Sequence, residues 1–206
     1  MMLHDPYDLI IIKENIVPNN HIEELMLLTT VEGGVRQATV ISRDDNGNNI
    51  NKEKLKHRNT LWYDIPDEQG EKLQVSISQM YHRFCVPKYN CEFKGYDPCQ
   101  FLGYPVGGHY IEHNDAESFV DGKWTRVANR DVSFLFYLNS EFGGGELEFP
   151  ELGLTIKPKK GMMIAFPSYK EYVHKVHPVT WGHRYTLVSW VGTKQKLYDT
   201  IPTEGV

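Results

Sequence analysis

The 206-residue chain is 40% hydrophobic and 12% aromatic, which is enough apolar material for one buried core. Its formal charge is -5, and apart from a short cluster over residues 52–58 its Lys and Arg are dispersed, so no broad basic face is offered to nucleic acid. The longest early apolar run, residues 9–12, is flanked by Asp8 and Lys13 and is too short for a secretion signal or a membrane span.

Three cysteines, Cys85, Cys91 and Cys99, are odd in number and lack zinc-site spacing. They read as buried or half-exposed thiols of a reducing compartment, so the expected location is the cytoplasm and no membrane partner is expected.

In chain order, Asn20 followed by Glu23 resembles a capping box ahead of Ile22, Leu25 and Met26, which predicts a helix over 20–29. Residues 43–58 are almost wholly polar around Asp44-Asp-Asn-Gly-Asn-Asn49 and read as a mobile surface loop or a lid. A longer helix is predicted over 67–88, because Leu73, Ile77, Met80, Tyr81 and Phe84 recur on one face.

From about residue 100 the texture changes to short β-rich segments separated by Gly, Pro and Asn: 101–104, 109–114, 132–138, 146–149, 154–156, 162–166, 173–177 and 184–191. Eight such strands predict a mainly β fold, a double-stranded β-helix (jelly-roll) barrel braced by N-terminal helices. No linker or repeat divides the chain. We therefore expect one domain over 1–206, with helical support over about 1–95 and a barrel core over about 98–192.

His113 and Asp115 stand two apart at the end of a predicted strand, so they project to the same side and reach one ion together. With His174 as a distant third ligand they form two histidines and one carboxylate on one face of an octahedral ion, leaving three positions open. His177 has the opposite strand parity to His174 and should point away. On the last strand Arg184, Thr186, Val188 and Trp190 share a face, which sets a guanidinium, a hydroxyl and an indole along one barrel wall against which a dicarboxylate could lie.

The run Tyr104-Pro-Val-Gly107-Gly-His-Tyr110-Ile-Glu-His113-Asn-Asp115 resembles the Tyr-x-x-Gly-x-x-Tyr-x-x-His-x-Asp pattern of prolyl-4-hydroxylase-like 2-oxoglutarate oxygenases. The likeness continues in order through Phe136-Tyr-Leu-Asn139, Phe142-Gly-Gly-Gly-Glu-Leu147, Pro158-Lys-Lys-Gly161, Phe166-Pro-Ser168, His174-x-Val-x-Pro-Val179 and Gly182-x-Arg184, and spans residues 98–192. It implies an enzyme using Fe(II), 2-oxoglutarate and O2, with ascorbate a candidate reductant. His113, Asp115 and His174 would bind the metal, and Arg184 the cosubstrate.

Tyr104 and Tyr137 match positions whose phenols hydrogen-bond the cosubstrate, and Trp190 matches an aromatic near the iron; Thr186 is added from face alternation alone. The implied reaction is hydroxylation of a prolyl residue in a protein or peptide, with release of succinate and CO2. Two polar loops, 43–58 and 116–128 with Phe119 and Trp124, could flank an extended peptide.

Other readings compete. His109-Tyr-Ile-Glu112-His113 also fits the His-x-x-Glu-His of zinc peptidases, which requires a helix where Pro105, Gly107 and Gly108 favour a strand. An oxygenase acting on a free amino acid or another small molecule shares the same barrel, and so does a silent acid- or peptide-binding module. Asp115 weakens a halogenase reading, and Trp190 stands where nucleic-acid demethylases carry a second arginine.

Overall fold

The structure is a computed structural model that describes residues 6–43, 49–120, 122–195 and 197. Its N-terminal part interleaves short strands with helices: β1 (Ile11–Lys13), α1 (Asn19–Leu27), β2 (Val35–Gln37), β3 (Val40–Arg43), β4 (Asn49–Lys52), β5 (Arg58–Asn59), β6 (Leu61–Tyr63), α2 (Asp67–Met80), α3 (Val86–Tyr89) and β7 (Phe93–Tyr96).

Three expectations are corrected in this part. The capping box at Asn20 does not form: the helix starts at Asn19 behind Pro18, whose φ of -60° is preset by its ring, and no side chain caps it. The Pro18 carbonyl accepts from the Ile22 N–H at 3.2 Å, which places Asn20 inside the first turn.

The second correction concerns the long helix. It does run from Asp67 to Tyr89, but residues Tyr81–Cys85 widen into a π-turn. Pro87 lacks an N–H and its ring crowds the carbonyl four residues back, so the regular α ladder has to re-register there.

Third, the stretch read as a mobile loop contains β4 and the start of β5, with β4 paired to β3 in register Val40↔Lys52 to Arg43↔Asn49. An Asn-Gly, Asn46-Gly47, stands between the two strands, a hairpin signal that the surrounding polarity obscured; residues 44–48 lie outside the described residues. The segment expected as helical support is therefore strand as well. β1, β2, β6 and β7 join one sheet and β5 the other, each too short for periodicity to show.

The C-terminal part supplies β8 (Gln100–Tyr104), β9 (His109–His113), β10 (Glu117–Val120), β11 (Lys123–Arg126), β12 (Val132–Tyr137), β13 (Phe142–Gly144), β14 (Leu147–Phe149), β15 (Leu154–Ile156), β16 (Met163–Pro167), β17 (His174–Val176), β18 (Val179–Gly182) and β19 (Arg184–Thr193). All eight expected strands are present. The polar stretch 116–128 is not a loop but the antiparallel hairpin β10–β11, whose Phe119 and Trp124 face each other as an edge-on ring pair at 5.6 Å.

Among the described residues the larger sheet runs β1-β16-β12-β19-β8-β6-β2, with β7 also on β19, and the smaller runs β15-β14-β17-β9-β5. The pairings are antiparallel throughout. Four of the eight expected strands lie in each sheet, which is the jelly-roll arrangement.

The two sheets face each other. Phe149 on β14 and His174 on β17 both pack edge-on against Phe166 on β16, with ring centroids 4.9 Å apart. Directly paired residues point to one side of an antiparallel sheet, so the register defines an inner face. Tyr104 lies opposite Arg184, Leu102 and Tyr137 opposite Thr186, Gln100 and Leu135 opposite Val188, and Ser133 opposite Trp190.

Helical Ile22, Leu25, Ile77, Tyr81 and Cys85 are buried in the same contiguous core as these strands. Among the described residues no helix is long and apolar enough to cross a membrane. Ile77→Ala should lower stability by about 3 kcal/mol, the usual cost of emptying a core site, whereas Val75→Ala on the exposed side of α2 should change it by less than about 0.5 kcal/mol. Denaturant unfolding of the two variants measures the contrast.

Candidate active site

β9 and β17 pair with His174 opposite His113, and the chain turns after β9 to bring Asp115 between them. Nε2 of His113 lies 3.8 Å from one Asp115 carboxylate oxygen, and Nε2 of His174 lies 3.8 Å from the other. One donor atom from each of the three residues falls within 4.8 Å of the rest. Donors about 2.1 Å from an ion stand about 3 Å apart across a right angle, so this set closes on a cation by small side-chain movements.

The chemistry of the donors is already set. Each histidine gives its Nδ1–H to the backbone carbonyl two residues earlier, His113 to Ile111 at 2.7 Å and His174 to Tyr172 at 3.0 Å. That fixes the tautomer and leaves Nε2 bare toward the centre. Burial, with His174 alongside, pushes His113 well below the usual imidazole range.

Burial alone would raise the Asp115 carboxyl, but His174, His113 and Arg130 nearby and the Ser133 hydroxyl more than offset it and hold it below the usual carboxylate range. At neutral pH His113 is therefore a neutral imidazole and Asp115 a carboxylate, the forms that bind a metal.

Around this centre the packing is tight. Tyr110 stacks flat on His113, with centroids 3.5 Å apart at 17°. Ser133 donates to Asp115 Oδ2 at 2.6 Å and is itself 2.8 Å from the Ser168 hydroxyl, while the Ser168 carbonyl accepts from the Asp115 N–H at 3.1 Å. Arg130 lies over the Trp190 ring at 3.6 Å, pairs with Asp97 at 2.7 Å and reaches the Asp115 carbonyl at 3.4 Å.

Ser133, Ser168 and Arg130 were not singled out from the sequence. Ser133 had a signal, as the one small polar residue inside the apolar and aromatic run 132–138. Arg130 had none, since its role comes from packing against β19.

Deeper on the inner face is a second feature. Arg184 is completely buried, and its Nε, Nη1 and Nη2 have no hydrogen-bond partner among the described residues. The rings of Tyr104 and Tyr137 flank the guanidinium at 4.5 and 4.9 Å. Burial raises the Tyr137 phenol, against the opposing Arg184 charge, so it remains a neutral donor.

The Tyr137 and Thr186 hydroxyls are also buried without partners, and so, six residues beyond Arg184 on β19, is the Trp190 indole N–H. Gly145 permits this arrangement: its φ is +68°, and a Cβ there would stand 2.9 Å from Arg184 Cδ. A cluster of donors around a buried cation, with no acceptor, fits an absent anion.

The triad residues, Tyr104 and Trp190 line one cavity of about 550 Å³, within the range of small-ligand sites. Val40, Arg58, Phe119 and Trp124 also line it, so both hairpins border the opening. His177 is elsewhere, paired with Glu148 at 2.5 Å. The His109 to His113 segment is strand, and this removes the helix that the zinc-peptidase reading requires.

The sequence model of the 2OG-Fe(II) oxygenase superfamily matches residues 99–192. A putative prolyl 4-hydroxylase of Acanthamoeba polyphaga mimivirus is 22% identical over 204 residues, covering 91% of this chain and 76% of that protein. Prolyl 3-hydroxylase 2 of Mus musculus is 44% identical over 66 residues, which are 30% of this chain and only 9% of that protein. A prolyl hydroxylase from Trichoplax adhaerens, solved in complex with a hypoxia inducible factor oxygen degradation domain peptide fragment, has a TM-score of 0.68 at 20% identity, covering 90% of this chain and 84% of that one.

His174→Ala should remove high-affinity binding of Fe(II) or Mn(II), because the bare Nε2 is lost, whereas His177→Ala should leave it unchanged. Metal titration by calorimetry measures both, and the reverse pattern would contradict the assignment of His174.

Proposed function

The chain belongs to the 2OG-Fe(II) oxygenase superfamily, and from that premise we propose that it hydroxylates prolyl residues within a protein or peptide. In this reading His113, Asp115 and His174 hold the iron, and Arg184 receives the distal carboxylate of 2-oxoglutarate. The observation that carries it is the pairing of a two-histidine, one-carboxylate cluster with a fully buried guanidinium whose three nitrogens are unpartnered.

The charges then cancel: a dication and Arg184 against Asp115 and a dicarboxylate. Left unmatched, a buried charge costs several kcal/mol, by order of magnitude. When bound, Fe(II) and 2-oxoglutarate would supply, with O2, the oxidising chemistry, the cosubstrate being converted to succinate and CO2.

The chain's own residues bind and orient. Arg184 offers the planar fork that a carboxylate matches with two hydrogen bonds. Tyr104 and Tyr137 wall the guanidinium, and the Tyr137 and Thr186 hydroxyls, each without a partner, complete the donor set around the anion. The Tyr172 and Ile111 carbonyls hold the imidazoles to the reactive tautomer, and Ser133 fixes one Asp115 oxygen. Trp190 and the apolar Leu135, Leu147 and Val188 line the cavity and exclude water from it.

Named relatives of this chain are prolyl hydroxylases, and this supports the choice of proline. The exposed pair of Phe119 and Trp124 at the cavity edge suits a proline ring and its neighbours. We further propose that residues 1–206 act as one folded unit, since β1, β2 and β6 complete the same sheet as the site strands. We also propose a cytoplasmic location, which the free, buried thiols Cys85, Cys91 and Cys99 support.

Two measurements test the reading. Incubated with Fe(II), ascorbate and 2-oxoglutarate, the protein should add one oxygen to proline-containing peptides and none to free proline or free lysine, as read by mass spectrometry. Hydroxylation of only a free amino acid would overturn the peptide reading. Arg184→Lys should raise the 2-oxoglutarate concentration needed for half-maximal turnover by about ten-fold or more, since one prong of the carboxylate contact is lost.

A further inference from the structure

The unpartnered polar atoms of the inner face fall into two groups. Those around Arg184 are donors and match an anion. Gln100 is the exception: its Oε1 is a buried acceptor with no hydrogen-bond partner among the described residues, and it lines the cavity. Its place is set by register. On β8 it lies opposite Val188, two residues before Leu102, and Trp62 on β6, opposite Leu102, lines the same cavity.

Leu102 and Val188 beside it have no donors. The indole N–H of Trp190 also lacks a partner, so it is not donating to Gln100. The cosubstrate cannot satisfy this oxygen either, because a dicarboxylate with a ketone carries acceptors only. A buried acceptor left unpaired is destabilising until a donor arrives, and the cavity beside it lets a substrate supply that donor in place of solvent.

We propose that Gln100 is a specificity-determining residue whose side-chain carbonyl accepts a main-chain N–H from a residue flanking the reacting proline. The proposal rests on the prolyl-peptide reading above. A prolyl residue within a chain has no amide N–H, so the contact falls on a neighbouring residue and selects a peptide by its backbone. The site thereby gains a sequence-tolerant hold on its substrate, in the way that extended peptides are commonly bound.

The test uses the full chain, wild type and Gln100→Met, with a proline peptide that the assay above shows to be hydroxylated. In a matched series each flanking amide of the peptide is N-methylated in turn. Equilibrium binding is read by fluorescence anisotropy, and kcat/KM by product mass. In the wild type, methylation at one flanking position should weaken binding and lower kcat/KM by about ten-fold, the worth of one neutral hydrogen bond.

In Gln100→Met that penalty should vanish while those at other positions persist. Each penalty is a ratio within one protein, so partial misfolding of the variant does not disturb it. An equal penalty in both proteins, or none at any position in the wild type, overturns the role of Gln100 and leaves the prolyl reading intact. If no proline peptide is hydroxylated or bound at all, the prolyl reading fails and this inference falls with it.

Discussion

A guanidinium buried without an anion is the constraint on which this structure turns. Arg184 begins β19, the longest strand, and β19 runs between β12 and β8, so the charge sits deep on the inner face. The ring faces of Tyr104 and Tyr137 offset part of that charge, while the hydroxyls of Tyr137 and Thr186 stand ready to donate to the anion that would balance it. The local cost is carried by the well-packed apolar residues of both sheets. Filling the site with an anion converts that cost into affinity, as happens where polar groups are preorganised for a ligand.

The metal cluster follows the opposite logic, with every supporting contact already made. Backbone carbonyls from the residues two positions earlier fix both imidazoles, and a serine pair fixes the carboxylate. Strand geometry produces this economy. β9 and β17 place His113 opposite His174, and the β12 register places Ser133 beside Trp190 on the face that Asp115 approaches. One part of the inner face thus suits a dication and another a dianion, and Tyr104, which walls the guanidinium, also lines the cavity that holds the triad.

Much of this was legible in the sequence, and the reasons differ by element. The eight barrel strands were found because Gly, Pro and Asn separate short β-branched and aromatic runs, a local signal. His113, Asp115, His174 and Arg184 emerged because alternation along a strand fixes which residues share a side. The short strands β1, β2, β5 and β6 escaped, since two or three residues carry no period and their partners are distant in sequence.

Polarity misled at 43–58 and 116–128, where hairpins with charged faces read as loops. Arg130, stacked on Trp190 and bonded to Asp97, is a product of tertiary packing that no local pattern encodes.

The central claim is that the inner face binds a metal and a dicarboxylate together, the metal at the triad and the dicarboxylate at Arg184. An anaerobic titration of the purified chain with Fe(II) and 2-oxoglutarate tests it most directly. The account predicts a visible charge-transfer absorption that appears only when both are present and saturates at one equivalent of each. Binding of either component that never yields that absorption, however much of the other is added, would contradict it.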